Sequence, residues 1–328
     1  MSKKIFFPLF SLLFINISIF ANEQTPDIIV AQDGTGDFHT IQEAVNSVRD
    51  FRPEGRTVIF IKKGIYKEKL IIPAWKEKLT LLGEDAQETI IMWNDHAKID
   101  NMGTFRTYTL LVQGDDTELC NLTIENNADE AQAVALHVEA DRVSVIGCRL
   151  IGNQDTVYLG KGGQRQFFYQ CYIKGMTDYI FGPGTAWFED CDLYCARNSY
   201  ITASSTPENV AVGFVFNNCR ITSAPNITRV FLGRPWRPFA YTVFMNSELD
   251  KAIAPEGWDN WRNPDNEKTA RFAEFNNSAE GANTSKRVSW VRQLTAEEAA
   301  ELTIENVLSG KDKWNPRSVG YNCRSNLQ

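Results

Sequence analysis

The sequence predicts an all-β fold, a parallel β-helix of one domain, and two observations lead to this prediction. Cysteines recur at intervals of 28, 23, 20 and 28 residues, at Cys120, Cys148, Cys171, Cys191 and Cys219. Each begins a short segment, and four of the five segments alternate apolar and polar residues in the way typical of strands. A strand-rich unit of this length, with little helical pattern between repeats, indicates a solenoid with one coil per repeat. Its strands would stack in register around a narrow apolar core.

The N-terminal residues predict an exported protein. Lys3 and Lys4 precede an apolar run over 5–20, and Ala21 is a small residue at a suitable cleavage position. This pattern is typical of a signal peptide over 1–21. A single anchor helix is the alternative, but the run is shorter than the ~20 apolar residues that a membrane span needs. We therefore expect a secreted protein, periplasmic or extracellular, that leaves the membrane after cleavage and forms one domain over 22–328.

Two segments have a helical pattern. The clearer one covers 35–48, and its apolar residues fall on one face, at Phe38, Ile41, Val45 and Val48. We expect it to cap the N-terminal end of the solenoid and to shield the core. The second covers 294–308, with Thr295 as its expected N-cap.

Charge and composition exclude several function classes. The 328-residue chain has a net charge of −7, and loss of 1–21, with two lysines and no acid, makes it −9. The sequence lacks the basic stripe that is typical of nucleic-acid-binding proteins, so we do not expect nucleic-acid binding. The chain has no G-x-S-x-G serine elbow and no calcium loop, and its histidines lack metal-ligand spacing, at His39, His96 and His137. The sequence therefore gives no indication of a metal site.

The cysteine repeat also predicts the thiol chemistry of the core. Stacked in the interior, the repeated cysteines need not be oxidised, although vertical neighbours lie close enough to pair. Their disulfide state stays open at this point. Cys195 and Cys323 fall outside the repeat.

The same repeat brings two carboxylates together. Seven residues after four of the cysteines stand polar side chains: Asn127, Asp155, Asp178 and Asn198. Since adjacent strands lie ~4.8 Å apart, the two aspartates are predicted to be near neighbours. Two such carboxylates split their proton affinities, so that one can attack an electrophile while the other protonates a leaving group. The alternative is a structural ladder of Asn and Asp in a solenoid turn.

Other polar side chains support a catalytic interpretation. Gln154 adjoins Asp155 and Gln132 lies one coil earlier, and an amide NH2 suits a developing oxyanion. Arg234, in FLGRPWRPF, can pair with an ionised carboxylate, while Trp236 can stack on a sugar. Taken singly, an interior glutamine or an Arg-Pro-Trp segment is also typical of a purely structural role.

Five ordered motifs resemble those of the pectin methylesterases: GIYKEKL (64–70), QAVAL (132–136), GNQDTVYL (152–159), DYIFG (178–182) and LGRPW (232–236). The resemblance runs from about residue 27 to 315. It implies a right-handed parallel β-helix of the pectin lyase-like type. It further implies an enzyme that hydrolyses the C6 methyl esters of homogalacturonan without metal or cofactor. Pectin is then the expected partner, and we expect a monomer.

By motif position, the resemblance also implies roles for single residues. Asp178 would be the nucleophile, and Asp155 the general acid and later the base. Gln132 and Gln154 would hold the oxyanion, and Arg234 would orient Asp178. The residues expected at the sugar cleft are Thr104, Gln132, Tyr158, Phe181, Arg234 and Trp236.

The sequence departs from the family pattern at three points. Tyr179 replaces a usual Phe and Val157 a usual Leu, both conservatively, whereas ITASS (201–205) lacks the glutamine that many members have after T-A. Contacts with neighbouring sugars are therefore less well defined by the motif.

Two other function classes stay open. A retaining glycoside hydrolase also uses two carboxylates ~5 Å apart, and a non-catalytic pectin-binding solenoid needs neither aspartate. The two glutamines and Arg234 favour acyl chemistry.

Overall fold

Parallel pairing between successive coils builds the fold. The computed structural model describes residues 25–318, so the signal peptide predicted over 1–21 and Cys323 lie outside the described residues. The strands are, in chain order, β1 (Ile28–Val30), β2 (Thr57–Ile61), β3 (Gly64–Tyr66), β4 (Leu70–Ile72), β5 (Leu79–Gly83), β6 (Thr89–Trp93), β7 (Leu110–Val112), β8 (Glu118–Cys120), β9 (Thr123–Asn126), β10 (Leu136–Val138), β11 (Val143–Ile146), β12 (Arg149–Ile151), β13 (Val157–Leu159), β14 (Arg165–Tyr169), β15 (Tyr172–Gly175), β16 (Ile180–Gly182), β17 (Thr185–Glu189), β18 (Asp192–Cys195), β19 (Tyr200–Ser204), β20 (Phe214–Asn217), β21 (Arg220–Ser223), β22 (Phe231–Gly233), β23 (Tyr241–Met245), β24 (Arg271–Phe275) and β25 (Arg292–Gln293).

The strands form three parallel sheets. The long sheet has eleven strands in the order β1-β2-β5-β8-β11-β14-β17-β20-β23-β24-β25. A seven-stranded sheet, here the site sheet, has the order β22-β19-β16-β13-β10-β7-β4, and a third sheet of seven has the order β21-β18-β15-β12-β9-β6-β3. Because every third strand along most of the chain returns to the same sheet, each coil adds one strand to each. The predicted parallel β-helix is confirmed.

Stacked aromatic rings fill part of the interior. Phe168, Phe188, Phe216 and Phe244 occupy matching positions on neighbouring strands of the long sheet. Their ring centroids are 4.5, 4.4 and 4.4 Å apart, and all four side chains are fully buried. Burial of such a ring contributes about 1.5–3 kcal/mol, so the stack is a major part of the core.

The cysteine stack has four members. Cys148, Cys171, Cys191 and Cys219 follow one another in register and are buried free thiols. Cys120 was expected to join them, and this prediction is wrong. It pairs with Ile146 in the long sheet, packs in a separate cluster and is disulfide-bonded.

The N-terminal helix α1 is shorter than predicted. It spans Ile41–Ser47 rather than 35–48, because the Thr40 side chain accepts a hydrogen bond from the Glu43 amide and caps it there. Phe38 instead forms a β-bridge with Val30. The apolar face of α1 is buried in the main core at the first coils, as expected for a cap.

The C-terminal helical segment is divided in two. Helix α3 (Ala296–Glu301) begins after a capping box formed by Thr295 and Glu298, and α4 (Ile304–Leu308) begins after a second N-cap at Thr303. Helix α4 packs on the outer face of the long sheet. The remaining helices have these bounds: α2 (Asn266–Thr269), and 3₁₀ helices at Ile99–Asn101, Thr104–Arg106, Glu280–Ala282, Thr284–Lys286 and Pro316–Ser318. Within 25–318, no helix is long and apolar enough to cross a membrane.

Turn lengths decide which side chains align before the site sheet. Register puts Leu150 opposite Ile173 and Val157 opposite Ile180. In both of these coils, the residue on the third sheet is therefore followed seven residues later by its counterpart on the site sheet. The corresponding separation between the two sheets is twelve residues in the preceding coil and nine in the following coil. Asn127 and Asn198 therefore fall out of line, and the four-membered polar ladder is wrong. Their expected places are taken by Ala133 and Tyr200.

Candidate active site

The two aspartates occupy equivalent positions one coil apart. Asp155 precedes β13 and Asp178 precedes β16. The Asp155 amide donates to the Thr177 carbonyl at 3.0 Å, and the Asp178 amide donates to the Tyr200 carbonyl at 2.9 Å. Both aspartates have a left-handed backbone, with φ of 68° and 48°. Such conformations are uncommon outside glycine and asparagine, and here the paired backbone on each side holds them.

Arg234 binds Asp178 through two parallel hydrogen bonds. Its Nε donates to Oδ1 at 3.0 Å and its Nη2 donates to Oδ2 at 2.6 Å. The Asp178 side chain is only 7% exposed. This bidentate, charge-assisted geometry fixes the plane of the carboxylate and stabilises its ionised form.

The surroundings separate the proton affinities of the two carboxyls. Burial and the nearby charge of Asp178 raise the pKa of Asp155 well above its usual range, against smaller opposing effects of Arg234 and a Gln154 hydrogen bond. Burial also raises the pKa of Asp178, but the hydrogen bonds and charge of Arg234 counter much of that rise. Asp155 is therefore the group that retains a proton, and Asp178 is the group that ionises first.

Two glutamines lie in line with the carboxylates. Gln132 forms a β-bridge with Gln154, which in turn bridges Thr177, so the three residues follow one another on neighbouring coils. Both glutamine side chains line the same cavity as Asp155 and Asp178. Two neutral amide donors thus stand beside a protonated and an ionised carboxyl.

A cavity of about 200 Å³ contains the site and has an aromatic wall. It is lined by Thr104, Phe105, Gln132, Gln154, Asp155, Asp178, Phe181, Ala203, Arg234, Trp236 and Trp261. Tyr158, also expected in the cleft, is buried beside these lining residues. Its ring packs 4.8 Å from Phe105 and 4.7 Å from Phe181. The other expected cleft residues face the cavity directly.

Three residues at the site escaped the sequence reasoning. Phe105, 45% exposed, forms part of the wall. Trp261 and Tyr200 flank the Arg234 guanidinium, whose central carbon lies 3.7 and 3.9 Å from their ring centroids. Trp261 ends the segment IAPEGWDNW (253–261), and nothing in that segment indicates its contact with Arg234.

A metal centre has no counterpart among residues 25–318. There, no group of three or more His, Cys, Asp or Glu side chains could hold a metal ion.

Comparison with known proteins agrees with this geometry. The Pectinesterase family model matches residues 27–311. Pectinesterase 31 of Arabidopsis thaliana is 38% identical over 288 residues, which cover 83% of this chain and 89% of that protein. Among solved structures, the pectin methylesterase from carrot has a TM-score of 0.83 at 32% identity and covers 88% of this chain and 94% of its own. PemA from Erwinia chrysanthemi has a TM-score of 0.78 at 32% identity, with 89% and 99% coverage.

A further similar structure, at 32% identity and a TM-score of 0.78, is a pectin methylesterase in complex with hexasaccharide VII; it covers 89% of this chain and 99% of its own. The family model spans most of the chain, and the relatives exceed 30% identity over nearly all of the β-helix. The chain belongs to the pectinesterase family.

Proposed function

We propose that this pectinesterase hydrolyses the C6 methyl esters of homogalacturonan, with Asp178 as the nucleophile and Asp155 as the general acid and base. The observation that supports the assignment is the bidentate Arg234–Asp178 pair beside a second buried carboxyl in one cavity. An arginine that keeps one carboxylate ionised while its neighbour keeps a proton suits ester hydrolysis. A similar structure contains a hexasaccharide, which is the class of ligand that the cavity has to accept.

The first half-reaction forms an acyl-enzyme. A carboxylate oxygen of Asp178 attacks the ester carbonyl carbon, and the carbonyl oxygen becomes an oxyanion that receives hydrogen bonds from the Gln132 and Gln154 amides. As the carbonyl re-forms, the bond to the methoxy oxygen breaks and Asp155 gives its proton to that oxygen. Methanol leaves, and the C6 acyl group remains bound to Asp178 as an anhydride.

The second half-reaction releases the free acid. Asp155, now ionised, takes a proton from water while the water oxygen adds to the acyl carbon. Collapse of this second tetrahedral intermediate breaks the bond to Asp178. The galacturonic acid departs, Asp178 is a carboxylate again, and Asp155 has regained its proton.

The aromatic wall is the proposed sugar-binding surface. Phe181 and Trp236 would pack on pyranose faces, Thr104 would contact sugar hydroxyls, and Tyr158 would support Phe181 from behind. We further propose that the protein acts outside the cytoplasm, as a monomer whose mature domain covers 22–328.

One assay tests the function and separates it from the other two classes. On highly esterified pectin, the enzyme should release methanol without new reducing ends. New reducing ends would instead indicate a glycoside hydrolase, and neither product would indicate a binding protein.

The nucleophile is tested by Asp178→Asn, which should lower methanol release to below about 1% because an amide cannot form the acyl intermediate. Asp192→Asn is the matched control, since Asp192 is 43% exposed and pairs with Arg220 on the surface. Residual turnover above a few per cent in a clean preparation would contradict the role of Asp178.

A further inference from the structure

Arg234 belongs to a column of two cations and three aromatic rings. The Arg229 guanidinium carbon lies 5.1 Å from the Phe231 ring centroid, and Phe231 stacks on Tyr200 at 5.3 Å with 23° between planes. Tyr200 covers one face of Arg234 at 3.9 Å, and Trp261 covers the other at 3.7 Å. With both faces covered, the guanidinium has its edge left for Asp178.

The backbone that presents Trp261 is strained. Trp261 and Arg262 are consecutive non-glycine residues with φ of 61° and 57°. Side-chain hydrogen bonds hold this turn: Asp259 Oδ1 accepts from the Trp261 amide at 2.7 Å, and Asn260 donates to Glu267 at 2.7 Å. A bulky residue in the left-handed region persists only where its surroundings impose it, and such outliers concentrate at functional sites.

Tyr200 serves both members of the ion pair. Its carbonyl accepts the Asp178 amide, while its ring covers Arg234. Among residues 25–318, Trp261 is part of the cavity lining and Tyr200 is not. An effect of the Tyr200 ring on catalysis is therefore indirect, and Arg234 is the site side chain that the ring contacts.

We propose that Tyr200 and Trp261 are positioning residues for catalysis, which clamp the Arg234 guanidinium in the plane of the Asp178 carboxylate. This rests on the proposed function, in which Asp178 must be ionised and correctly oriented to attack. Rings on both faces stabilise the cation, exclude water from it and prevent rotation out of the plane. A mobile guanidinium would weaken both hydrogen bonds to Asp178.

The clamp predicts a change in the pH dependence as well as in the rate. The charged groups acting on Asp178 are Arg234, Asp155 on the neighbouring coil and Asp259 in the strained turn. Without the clamp, Arg234 stabilises the charged form of Asp178 less, so the pKa of Asp178 rises. Since Asp178 acts as a carboxylate, the acidic limb of the rate profile moves to higher pH.

The test compares Tyr200→Leu with Tyr200→Phe. We expect the leucine variant to lose about tenfold in kcat, with KM within about twofold and the acidic limb at higher pH. The phenylalanine variant keeps a ring over Arg234 and should recover most of the loss. Wild-type kinetics for Tyr200→Leu, or equal losses in the two variants, would overturn the proposal. Thermal unfolding of both variants identifies a loss that is due only to misfolding, and that outcome would also count against the clamp.

A double-mutant cycle completes the experiment. Arg234→Lys alone should lower kcat by at least about tenfold, because lysine lacks the planar fork and stacks poorly. When Tyr200→Leu is added to Arg234→Lys, kcat should fall by less than about a further twofold. The reason is that the guanidinium on which the Tyr200 ring acts is no longer present. Losses that multiply would overturn the proposal. If the wild type releases no methanol, the proposed function fails and the clamp with it, whereas methanol release with unchanged variants refutes the clamp alone.

Discussion

Asp155 is a buried carboxyl group whose environment opposes its ionisation. Its pKa is higher in the folded chain than in the unfolded chain, where a carboxyl titrates near ~4. The folded state therefore binds more protons than the unfolded state above that pH, and stability falls as the pH rises towards the folded pKa. The catalytic role proposed for Asp155 and the stability of the fold thus make opposite demands at this residue.

Asp155→Asn should therefore stabilise the protein while it abolishes turnover. We expect Tm at pH 7 to rise by about 2 °C or more, and the gain to shrink towards about pH 3, below the pKa of the unfolded chain, where Asp155 is protonated in both states. Thermal unfolding across this pH range measures it, with Asp192→Asn as the surface control. A gain that does not depend on pH would contradict the assigned ionisation.

Sequence reasoning found the residues that spacing or motif marks. Asp155 and Asp178 follow from a shared seven-residue offset, and Arg234 follows from its motif. Tyr200 and Trp261 could not be found in this way. Tyr200 reaches its place through a turn two residues longer than the two before it, and Trp261 through a strained turn. Such contacts depend on loop geometry, which local pattern does not encode.

At the scale of elements, an ion pair ends the interior stack of rings. Register places Glu274 next to Phe244, at the inward position that phenylalanines fill on earlier strands. Glu274 Oε1 accepts hydrogen bonds from Arg287 Nε at 2.8 Å and from Trp258 Nε1 at 3.0 Å. The Glu274 and Arg287 side chains are 1% and 4% exposed. This pair closes the C-terminal end of the core, as α1 closes the N-terminal end.

Glu274→Ala should destabilise the fold strongly, by about 3–5 kcal/mol, because it leaves the Arg287 charge buried without its partner. Chemical denaturation measures the loss. The control is Asp265→Ala, which removes the exposed Lys268–Asp265 pair and should have a far smaller effect. Comparable losses in the two variants would refute a buried closing role for Glu274.

Element boundaries show where periodicity is insufficient. The apolar face over 35–48 is real, but Thr40 starts the helix late and Phe38 joins a β-bridge instead. In the C-terminal segment, a second capping threonine, Thr303, divides one predicted helix into two. In both cases a side chain that caps backbone amides fixes the boundary, and the hydrophobic pattern does not reveal it.

At the scale of the whole molecule, the period alone was enough to predict the solenoid. Each coil repeats the same sequence of strands and bends, so a spacing of 20 to 28 residues leaves few other architectures. The cysteines marked this period even though Cys120 is not a member of the stack. Cys120 lies in a neighbouring strand of its coil, and a cysteine displaced in this way still occurs once per coil.

The net charge of −7, or −9 without 1–21, predicts a low affinity of the protein for its de-esterified product. A polyanion of free galacturonates should be repelled at low salt, so we expect affinity for esterified pectin over polygalacturonate and a scattered product pattern. Arg165, a candidate for a local basic patch, is engaged by Asp141 and Asp312. Product mapping up to ~0.5 M salt, where the Debye length is a few ångströms, measures this. Long free-acid blocks at low salt would contradict it.

The left-handed backbone of Asp155 and Asp178 also bears on how this protein can evolve. Asparagine and glycine adopt that conformation readily, and each is reached from an aspartate codon by a single base change. With the proposed catalytic roles, a point mutation at either position would remove turnover without imposing backbone strain, and it would leave the aromatic wall intact. Inactive descendants that still hold polysaccharide are thus one nucleotide away, and gene duplication would be free to retain them as lectins.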